Sequence, residues 1–274
     1  MPELPEIETI ASGLKPLVQG ECIRDIYLLH GPVVRGDDLL FQKRLLWRRI
    51  QSVRRRAKLL IMDLESSLHL VFHLKMTGKV WIPDGETPPN KHTHLVLKLD
   101  NQKYIFFEDQ RKFGYVAAMT SEELQSWDFF STLGPEPLEM SESDFVSNLK
   151  NRKARIKSLL LDQKTVAGIG NIYADEALYL AGIHPCTRAW DLSRQGLASL
   201  FHGLQRVLNA AIKAGGSSFR DYRNALGTAG QFQENFQVYG KKGLPCPACN
   251  AMIQSEKVSN RTSCFCPNCQ KEPM

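Results

Sequence analysis

Two short apolar runs follow each other in the stretch LLIMDLESSLHLVF, residues 59–72. Two more runs, HLVLKL at 94–99 and YIFF at 104–107, continue the pattern, and turn-forming pairs such as Asp100-Asn101 separate them. Apolar runs of this length, bounded by turn residues, are typical of β-strands. Because no helical pattern alternates with them between Cys22 and Met119, the sequence predicts an antiparallel β-sandwich or barrel and not a doubly wound sheet.

Helical spacing flanks this β-rich region on both sides. At the N-terminus Ile7, Ile10, Leu14 and Leu17 repeat at helical intervals until Gly20. After the β-rich region, the segment LGPEP at 133–137 can sustain neither helix nor strand, and we interpret it as a connection between domains. Helical patterns then continue to Gly215-Gly216. Four successive segments carry them: one with Phe145 and Leu149, one with Ile156, Leu159 and Leu160, residues 172–180, and residues 197–212.

The amino-acid composition limits the classes of protein to which the chain can belong. The chain has 274 residues, 43% of them apolar, and 35 Lys and Arg against 29 Asp and Glu for a net charge of +6. The apolar fraction excludes a wholly disordered chain, and no apolar run reaches the length of a membrane span. The opening MPELPEIETI has no signal-peptide core. We therefore expect a soluble, cytoplasmic protein without a membrane partner.

The positive charge is concentrated in two places. Eight basic residues and no acid lie between Lys43 and Lys58, and five more basic residues lie between Lys150 and Lys157. Such concentration indicates a polyanionic partner, most simply a nucleic acid. For either run alone, a solvated basic face is the alternative interpretation.

Five of the seven cysteines crowd into the last thirty residues. Cys246 and Cys249 form one CxxC pair, and Cys266 and Cys269 form a second after sixteen intervening residues. Two such pairs can place four thiolates around one tetrahedral Zn²⁺. A closed four-cysteine site leaves no open position, so the zinc is expected to be structural. Cys264 is left out because its spacing to Cys266 fits a strand.

The N-terminus offers a possible nucleophile. Pro2 follows the initiator Met, whose removal would leave a free secondary amine, and Glu3 and Glu6 lie close by in sequence. An α-amino group with a pKa near 8 is partly unprotonated at neutral pH and can attack an electrophilic carbon. The alternative is that the two acids serve only the dipole of the first helix.

The chain resembles a known family of DNA repair enzymes. Six signatures carry the resemblance, in the family's order and across the whole chain: MPELPEIET (1–9), HLKMTG (73–78), DQRKFG (109–114), LLDQKTVAGIGNIYADEALYLAGIHP (160–185), GGSS (215–218) and the paired cysteines ending in FCPNCQ (265–270). Together they resemble the bacterial formamidopyrimidine-DNA glycosylases, the MutM-type branch of the Fpg/Nei family. Two positions depart from the family's commonest pattern: Ala57, where Gly is frequent, and Lys75, where Gly or Arg is frequent.

The resemblance implies an α+β fold with three parts. These are an N-terminal antiparallel β-sandwich with an N-terminal helix, a helix-two-turns-helix domain, and a zinc ribbon. The expected division is 1–131 for the catalytic sandwich domain, 132–150 for the linker and the start of the helical region, 151–240 for the DNA-binding helices, and 241–274 for the ribbon. A monomer suffices for this organisation.

The resemblance also implies the chemistry. Pro2 would be the nucleophile at C1′ of the damaged nucleotide, Glu3 the principal proton donor and acceptor, and Glu6 a supporting carboxylate. The expected activity is that of a DNA glycosylase and AP lyase, which removes 8-oxoguanine opposite cytosine and formamidopyrimidines through a Schiff base and β,δ-elimination. Double-stranded DNA with oxidised purines or abasic sites would be the partner, at the bacterial nucleoid.

Further residues match positions of the family that contact DNA. Lys58, which we also place in the catalytic site, matches a phosphate-holding position, as do Asn171 and Arg261, with His73 and His92 as further candidates. Met76, Arg111 and Phe113 match residues inserted into the duplex to fill the void of the extruded base. The segment from Gly215 to Tyr222 resembles the loop that closes over the lesion, with Ser217, Ser218, Phe219, Arg220 and Tyr222 as its contact residues.

Two other functions fit part of the sequence. A Nei-type glycosylase would prefer oxidised pyrimidines, and Leu4 together with Arg111 and Phe113 argues against it. A non-catalytic, zinc-containing DNA-binding protein would use the basic runs and the ribbon equally well. Pro2 and Glu3 are the residues that separate an enzyme from such a protein.

Overall fold

A computed structural model describes residues 2–29, 32–85, 87–218 and 222–271. The chain forms two compact units. The first runs to Thr132 and also takes in Ile212–Gln233, and the second comprises Leu133–Ala211 and the described residues from Glu234 onward. No helix in the described part of the chain is long and apolar enough to cross a membrane.

The first unit begins with helix α1, Leu4–Val18. Its predicted apolar stripe is confirmed, because Ile7, Ile10 and Leu14 are fully buried. The helix ends before Gly20, whose φ of +89° places it in the left-handed region that favours glycine.

Two four-stranded antiparallel sheets form the rest of the core of this unit. One has the order β1-β6-β7-β5 and the other β2-β3-β4-β8. Their bounds are β1 Ile23–Leu28, β2 Ile50–Arg56, β3 Leu59–Leu64, β4 Leu68–His73, β5 Gly78–Trp81, β6 Thr93–Leu99, β7 Tyr104–Asp109 and β8 Tyr115–Thr120. Phe72 of one sheet and Phe107 of the other meet edge to face at 5.7 Å, inside one core that α1 also joins. The predicted antiparallel sandwich is confirmed.

One expectation about this region is wrong. Helix α2, Asp38–Leu45, lies between β1 and β2, where the sequence pattern showed no helix. The Asp37 carboxylate caps it by accepting a hydrogen bond from the Leu40 amide at 2.7 Å. Only Phe41 and Leu45 are buried, while Leu39 is exposed. Because the exposed Leu39 is also apolar, the apolar residues of this short helix do not follow a clear helical spacing, and the sequence did not indicate a helix.

The part of the first unit that runs to Thr132 ends with helices α3, Ser121–Ser126, and α4, Asp128–Ser131. The second unit contains α5 Glu142–Leu149, α6 Ile156–Leu161, α7 Asn171–Leu180 and all but the last two residues of the long α8, Arg194–Lys213. These helices fall where the helical spacing predicted them. A hairpin of β9, Gln254–Val258, and β10, Arg261–Phe265, follows.

The segment at 133–137 lies where the two units divide. Gly134 is required there because a Cβ would stand 2.6 Å from the Lys164 carbonyl oxygen. The contacts group Ile212–Gln233 with the first unit, whereas the sequence division kept it with the helices at 151–240. Hydrophobic periodicity cannot reveal this grouping, since the segment is mostly loop.

Candidate functional site

The N-terminal acids are buried and hydrogen-bonded to each other's backbone. Glu3 is 2% exposed and Glu6 is 1% exposed, and Pro2 is buried beside them. The Glu3 amide donates to Glu6 Oε2 at 2.8 Å, and the Glu3 carboxylate accepts the Glu6 amide in a reciprocal capping box. The capping box thus fixes the two carboxylates relative to each other at the start of α1, close to Pro2 in sequence.

Glu6 also holds the loop that follows helix α8. Its Oε1 accepts hydrogen bonds from the Ser217 amide at 2.8 Å and from the Ser217 hydroxyl at 3.0 Å. The Tyr222 hydroxyl donates to the Glu6 carbonyl oxygen at 3.3 Å. Burial, and then the charge of Glu6, raise the pKa of Tyr222 far above its usual range, so this hydroxyl stays a donor.

The same loop needs glycine at position 216. Gly216 has a φ of +81°, and a Cβ there would lie 2.9 Å from the Tyr222 ring and 3.2 Å from the Glu6 side chain. The neighbouring Ser218 hydroxyl donates to the Tyr222 carbonyl at 2.8 Å and accepts the Gly230 amide at 2.8 Å. Of the predicted loop residues, Ser217 and Tyr222 contact Glu6, and Ser218 contacts Tyr222. Phe219 and Arg220 lie outside the described residues.

Lys58 and His73 lie at the ends of two paired strands. Leu59, which follows Lys58, pairs directly with His73. The side chains of Lys58 and His73 are both buried. Burial, followed by the charges of Lys75 and Lys58, lowers the pKa of His73 to about 3. The Lys75 amide donates to His73 Nδ1 at 3.1 Å, so the proton of the neutral ring sits on Nε2. His73 can therefore offer a neutral hydrogen-bond donor but no charge.

Both departures from the family pattern fall on left-handed backbone. Ala57 has a φ of +52° and Lys75 a φ of +49°. Glycine adopts this conformation without strain, whereas an L-residue loses roughly 1 kcal/mol or more there. Arg55 donates to the Ala57 carbonyl at 3.2 Å and supports the first of these turns.

Met76, Arg111 and Phe113 form one exposed cluster, which we call the wedge cluster. Met76 is 39% exposed and Phe113 is 56% exposed, although both are large and apolar. The Arg111 guanidinium lies 3.1 Å from the Met76 sulfur and 5.1 Å from the centre of the Phe113 ring. Exposed apolar side chains held together around a cation have the composition expected of a wedge that enters a base stack.

Some of the residues in the two basic runs pair with acids of the protein itself. In the first run Arg44, Arg49, Arg54 and Arg55 form ion pairs with acids of the same unit. In the second run Lys157 is fully buried and lies 2.5 Å from Asp175. These five basic residues therefore have acidic partners within their own unit.

Asn171 and Arg261 come together in the second unit. Asn171 begins α7 directly after Gly170, as the sequence predicted, and its Nδ2 donates to the carbonyl of Thr262 at 2.9 Å. Thr262 follows Arg261, which is exposed at the start of β10. Among the described residues, Asn171 Oδ1 is buried without a hydrogen-bond partner.

His92 belongs to the first unit and lies in the loop before β6. Its carbonyl accepts the Asp109 amide at 2.9 Å, and its side chain is half-buried. This hydrogen bond connects the loop to the end of β7, close to the turn that carries Arg111.

The four paired cysteines form a closed cluster. Their sulfur atoms all lie within 4.8 Å of one another, with separations of 3.4 Å for Cys249 to Cys266 and 3.9 Å for Cys246 to Cys269. Zinc–sulfur bonds of about 2.3 Å in a tetrahedron require sulfur separations of about 3.8 Å. The donor set and its spacing therefore fit one structural Zn²⁺, and Cys264 stands apart in β10.

A buried ion pair attaches the hairpin to the helices of its unit. Lys157 Nζ of α6 donates to the Ser263 hydroxyl at 2.6 Å, and Asp175 of α7 accepts the Cys264 amide at 2.9 Å. Sequence patterns gave no sign of this pair, because Lys157 appeared only as part of a basic run.

Three family models match consecutive parts of the chain. They describe the formamidopyrimidine-DNA glycosylase N-terminal domain at residues 1–116, the formamidopyrimidine-DNA glycosylase H2TH domain at 133–223, and a zinc finger found in FPG and IleRS at 243–271. The chain belongs to the formamidopyrimidine-DNA glycosylase family. The resemblance inferred from the six signatures, and the single structural zinc, are thereby confirmed.

Curated relatives agree over the full length. The formamidopyrimidine-DNA glycosylase of Chloroflexus aurantiacus is 42% identical, with 98% of each chain covered. That of Solibacter usitatus is 43% identical, covering 99% of this chain and 100% of its own.

Solved structures share the fold. A Lactococcus lactis FPG variant in complex with Fapy-dG-containing DNA matches with a TM-score of 0.92 at 37% identity, over 99% of this chain and 100% of that one. MutM in complex with carbocyclic 8-oxo-G-containing DNA matches with a TM-score of 0.91 at 36% identity, with the same coverage.

Proposed function

We propose that this family member is a DNA glycosylase and AP lyase of base excision repair. It removes oxidised purines from double-stranded DNA, above all 8-oxoguanine opposite cytosine and formamidopyrimidines. The observation that carries the proposal is the pair of buried carboxylates, Glu3 and Glu6, fixed by α1 beside Pro2. The family relationship and the damaged-DNA complexes of similar proteins support it.

The chemistry follows from a free amine at Pro2. The nitrogen lone pair attacks C1′, the bond from C1′ to the base breaks, and the base leaves with a proton. Opening of the sugar ring gives an iminium ion on the Pro2 nitrogen, with Glu3 exchanging protons at the ring oxygen. The iminium acidifies the C2′ protons, so the 3′ phosphate and then the 5′ phosphate are eliminated.

Base extrusion is the role we assign to the wedge cluster. Removing a base from the stack costs a few kcal/mol, and inserted side chains offset part of that cost. Met76 and Phe113 fill the void, and Arg111 donates to the unpaired opposite base. Ser217, Ser218 and Tyr222, with Phe219 and Arg220, form the loop over the extruded lesion.

In this proposal the DNA phosphates are held by Lys58, His73, His92, Asn171 and Arg261. The zinc of the ribbon keeps Arg261 in place. A monomer suffices, and we expect the protein to act at the bacterial nucleoid, where its substrate is. The proposed division remains 1–131, 132–150, 151–240 and 241–274.

Cleavage of matched duplexes tests the proposal. The protein is incubated with duplexes that carry 8-oxoguanine opposite cytosine, an oxidised pyrimidine opposite its normal partner, or no lesion. We expect excision from the first duplex far faster than from the second, and none from the third. Faster excision of the pyrimidine identifies a Nei-type enzyme, and tight binding without excision identifies a non-catalytic DNA-binding protein.

A further inference from the structure

Asp109, the last residue of β7, lies at the centre of a convergent set of donors. Its side chain is almost completely buried, at 1% exposure. Oδ1 accepts the Thr77 hydroxyl and, at 3.1 Å, the Arg111 amide, while Oδ2 accepts the Gly114 amide at 2.6 Å. Three donors from two separate chain segments thus meet on one carboxylate.

The first of these segments is the turn from Gln110 to Phe113, whose backbone is unusual. Lys112 within it has a φ of +58°, which strains an L-residue. Gly114 closes it, and a Cβ there would lie 2.9 Å from the Phe107 ring and 3.2 Å from the His73 carbonyl oxygen. The two amide hydrogen bonds to Asp109 span this turn from Arg111 to Gly114 and hold its shape.

The second segment carries the remaining member of the wedge cluster. Thr77 directly follows Met76, and its hydroxyl both donates to Asp109 and accepts the Arg111 amide at 3.1 Å. The Met76 segment and the Arg111 turn are therefore joined through one threonine and one aspartate. This connection fixes the backbones from which the sulfur, guanidinium and ring of the wedge cluster extend.

We propose that Asp109 is the positioning residue for discrimination of the base opposite the lesion, acting through Thr77 on the wedge cluster. This inference rests on the proposed function. Asp109 is almost completely buried, so its carboxylate acts through the groups that hydrogen-bond to it. Its carboxylate sets the direction of the Arg111 guanidinium, which donates to an unpaired cytosine but finds a competing amino donor on an unpaired adenine.

The geometry requires a carboxylate and not an amide. All three groups around Asp109 donate, and an ionised carboxylate only accepts. Asparagine has the same shape, but its amino group would face the Gly114 amide or the Thr77 hydroxyl, donor against donor. Asp109→Asn therefore disturbs the turn without emptying the site.

The test measures single-turnover excision of 8-oxoguanine opposite cytosine and opposite adenine. In Asp109→Asn and in Thr77→Val, which keeps the shape but lacks the hydroxyl, we expect the preference for cytosine to fall roughly tenfold, within what a bidentate base contact contributes. Thr77→Ser restores the hydroxyl and should retain the preference. Thr77→Val decides the question if Asp109→Asn does not fold.

Asp63→Asn is the matched control. Asp63 also collects several donors in the same unit, from Ser52 and Arg54, and it contacts His69, but none of these belongs to the wedge cluster. In Asp63→Asn the preference for cytosine over adenine opposite the lesion should remain that of the wild type.

An unchanged ratio in Asp109→Asn and Thr77→Val, or an equal fall on both duplexes, overturns the positioning role. A wild-type protein that excises without preferring cytosine overturns it as well. A wild-type protein that excises from neither duplex refutes the proposed function, and this inference with it.

Discussion

The two units hold their functional residues by different means. In the first, Glu3, Glu6 and the wedge cluster extend from elements that share a large hydrophobic core. In the second, Arg261 extends from a two-stranded hairpin whose small core consists largely of cysteines and a few apolar residues such as Val238 and Ile253. The core of the first unit contains none of the four paired cysteines, whereas a hairpin with so small a core depends on its metal. Chemistry and DNA binding should therefore be lost separately.

Loss of chemistry alone is the largest expected effect. Glu3→Gln replaces the carboxyl group that we propose as the proton donor and acceptor, and it should leave both sheets and the ribbon intact. Base excision should therefore slow by about 10²- to 10⁴-fold with DNA affinity retained. Rates of excision and equilibrium binding on one lesion duplex measure the two quantities. Glu8→Gln on the same helix is the control and should excise normally. A parallel fall in binding would show that Glu3 supports the fold and not the chemistry.

Loss of DNA binding alone is the next effect. Removing zinc, or Cys249→Ser, should unfold the hairpin and reduce lesion affinity by about a thousandfold, toward non-specific binding. The melting transition of the first unit should persist. Cys264→Ser is the matched control because Cys264 lies in the same hairpin outside the four-cysteine cluster. Unchanged affinity in zinc-free protein would contradict the role of the ribbon.

The wedge cluster should affect specificity more than affinity. Arg111→Ala removes the proposed donor to the unpaired cytosine, so binding to the cytosine duplex should weaken by about 1 to 3 kcal/mol more than binding to the adenine duplex. Lys58→Ala removes a proposed phosphate contact and should weaken binding to both duplexes equally, with a salt dependence about one unit shallower. Affinities for the two duplexes at several salt concentrations provide the comparison. Equal losses in Arg111→Ala would make it a general DNA contact.

The smallest effect concerns pH and belongs to the first unit. His73 has its pKa lowered to about 3 by burial, so between pH 3 and the ordinary value near 6.5 the unfolded chain binds a proton that the folded chain does not. The free energy of unfolding should fall as the pH drops below 6.5, by about 1 kcal/mol between pH 6.5 and pH 5.5. Denaturation of the wild type and of His73→Gln at both pH values measures this contribution. An identical pH dependence in both proteins would contradict it.

Much of the fold could be predicted because its signals are local. Strands β3 and β4 are short apolar runs between turn residues, and two CxxC pairs at a fixed separation specify a zinc site. The residues of the candidate site were available only through resemblance, since Met76 and Phe113 have the types of ordinary core residues. The sequence contained no sign that they would be exposed.

The missed features depend on long-range contacts. Lys157 lies in a basic run, but its partner Asp175 comes eighteen positions later on another helix. Asp109 was visible only as the first letter of a motif, because Thr77, which joins it to Met76, lies in the turn before β5, far away in the sequence. Such pairings arise when the chain folds, and neither periodicity nor spacing encodes them.

The central claim is that the Pro2 amine performs the chemistry, and borohydride trapping tests it most directly. Borohydride is added while the protein acts on a duplex with 8-oxoguanine opposite cytosine, so that the iminium intermediate is reduced to a stable covalent adduct. The adduct is then digested and mapped by mass spectrometry. We predict that the DNA is attached to the N-terminal peptide, at Pro2, with the initiator Met absent. Attachment at Lys58, or no adduct from protein that excises the base, would contradict the account.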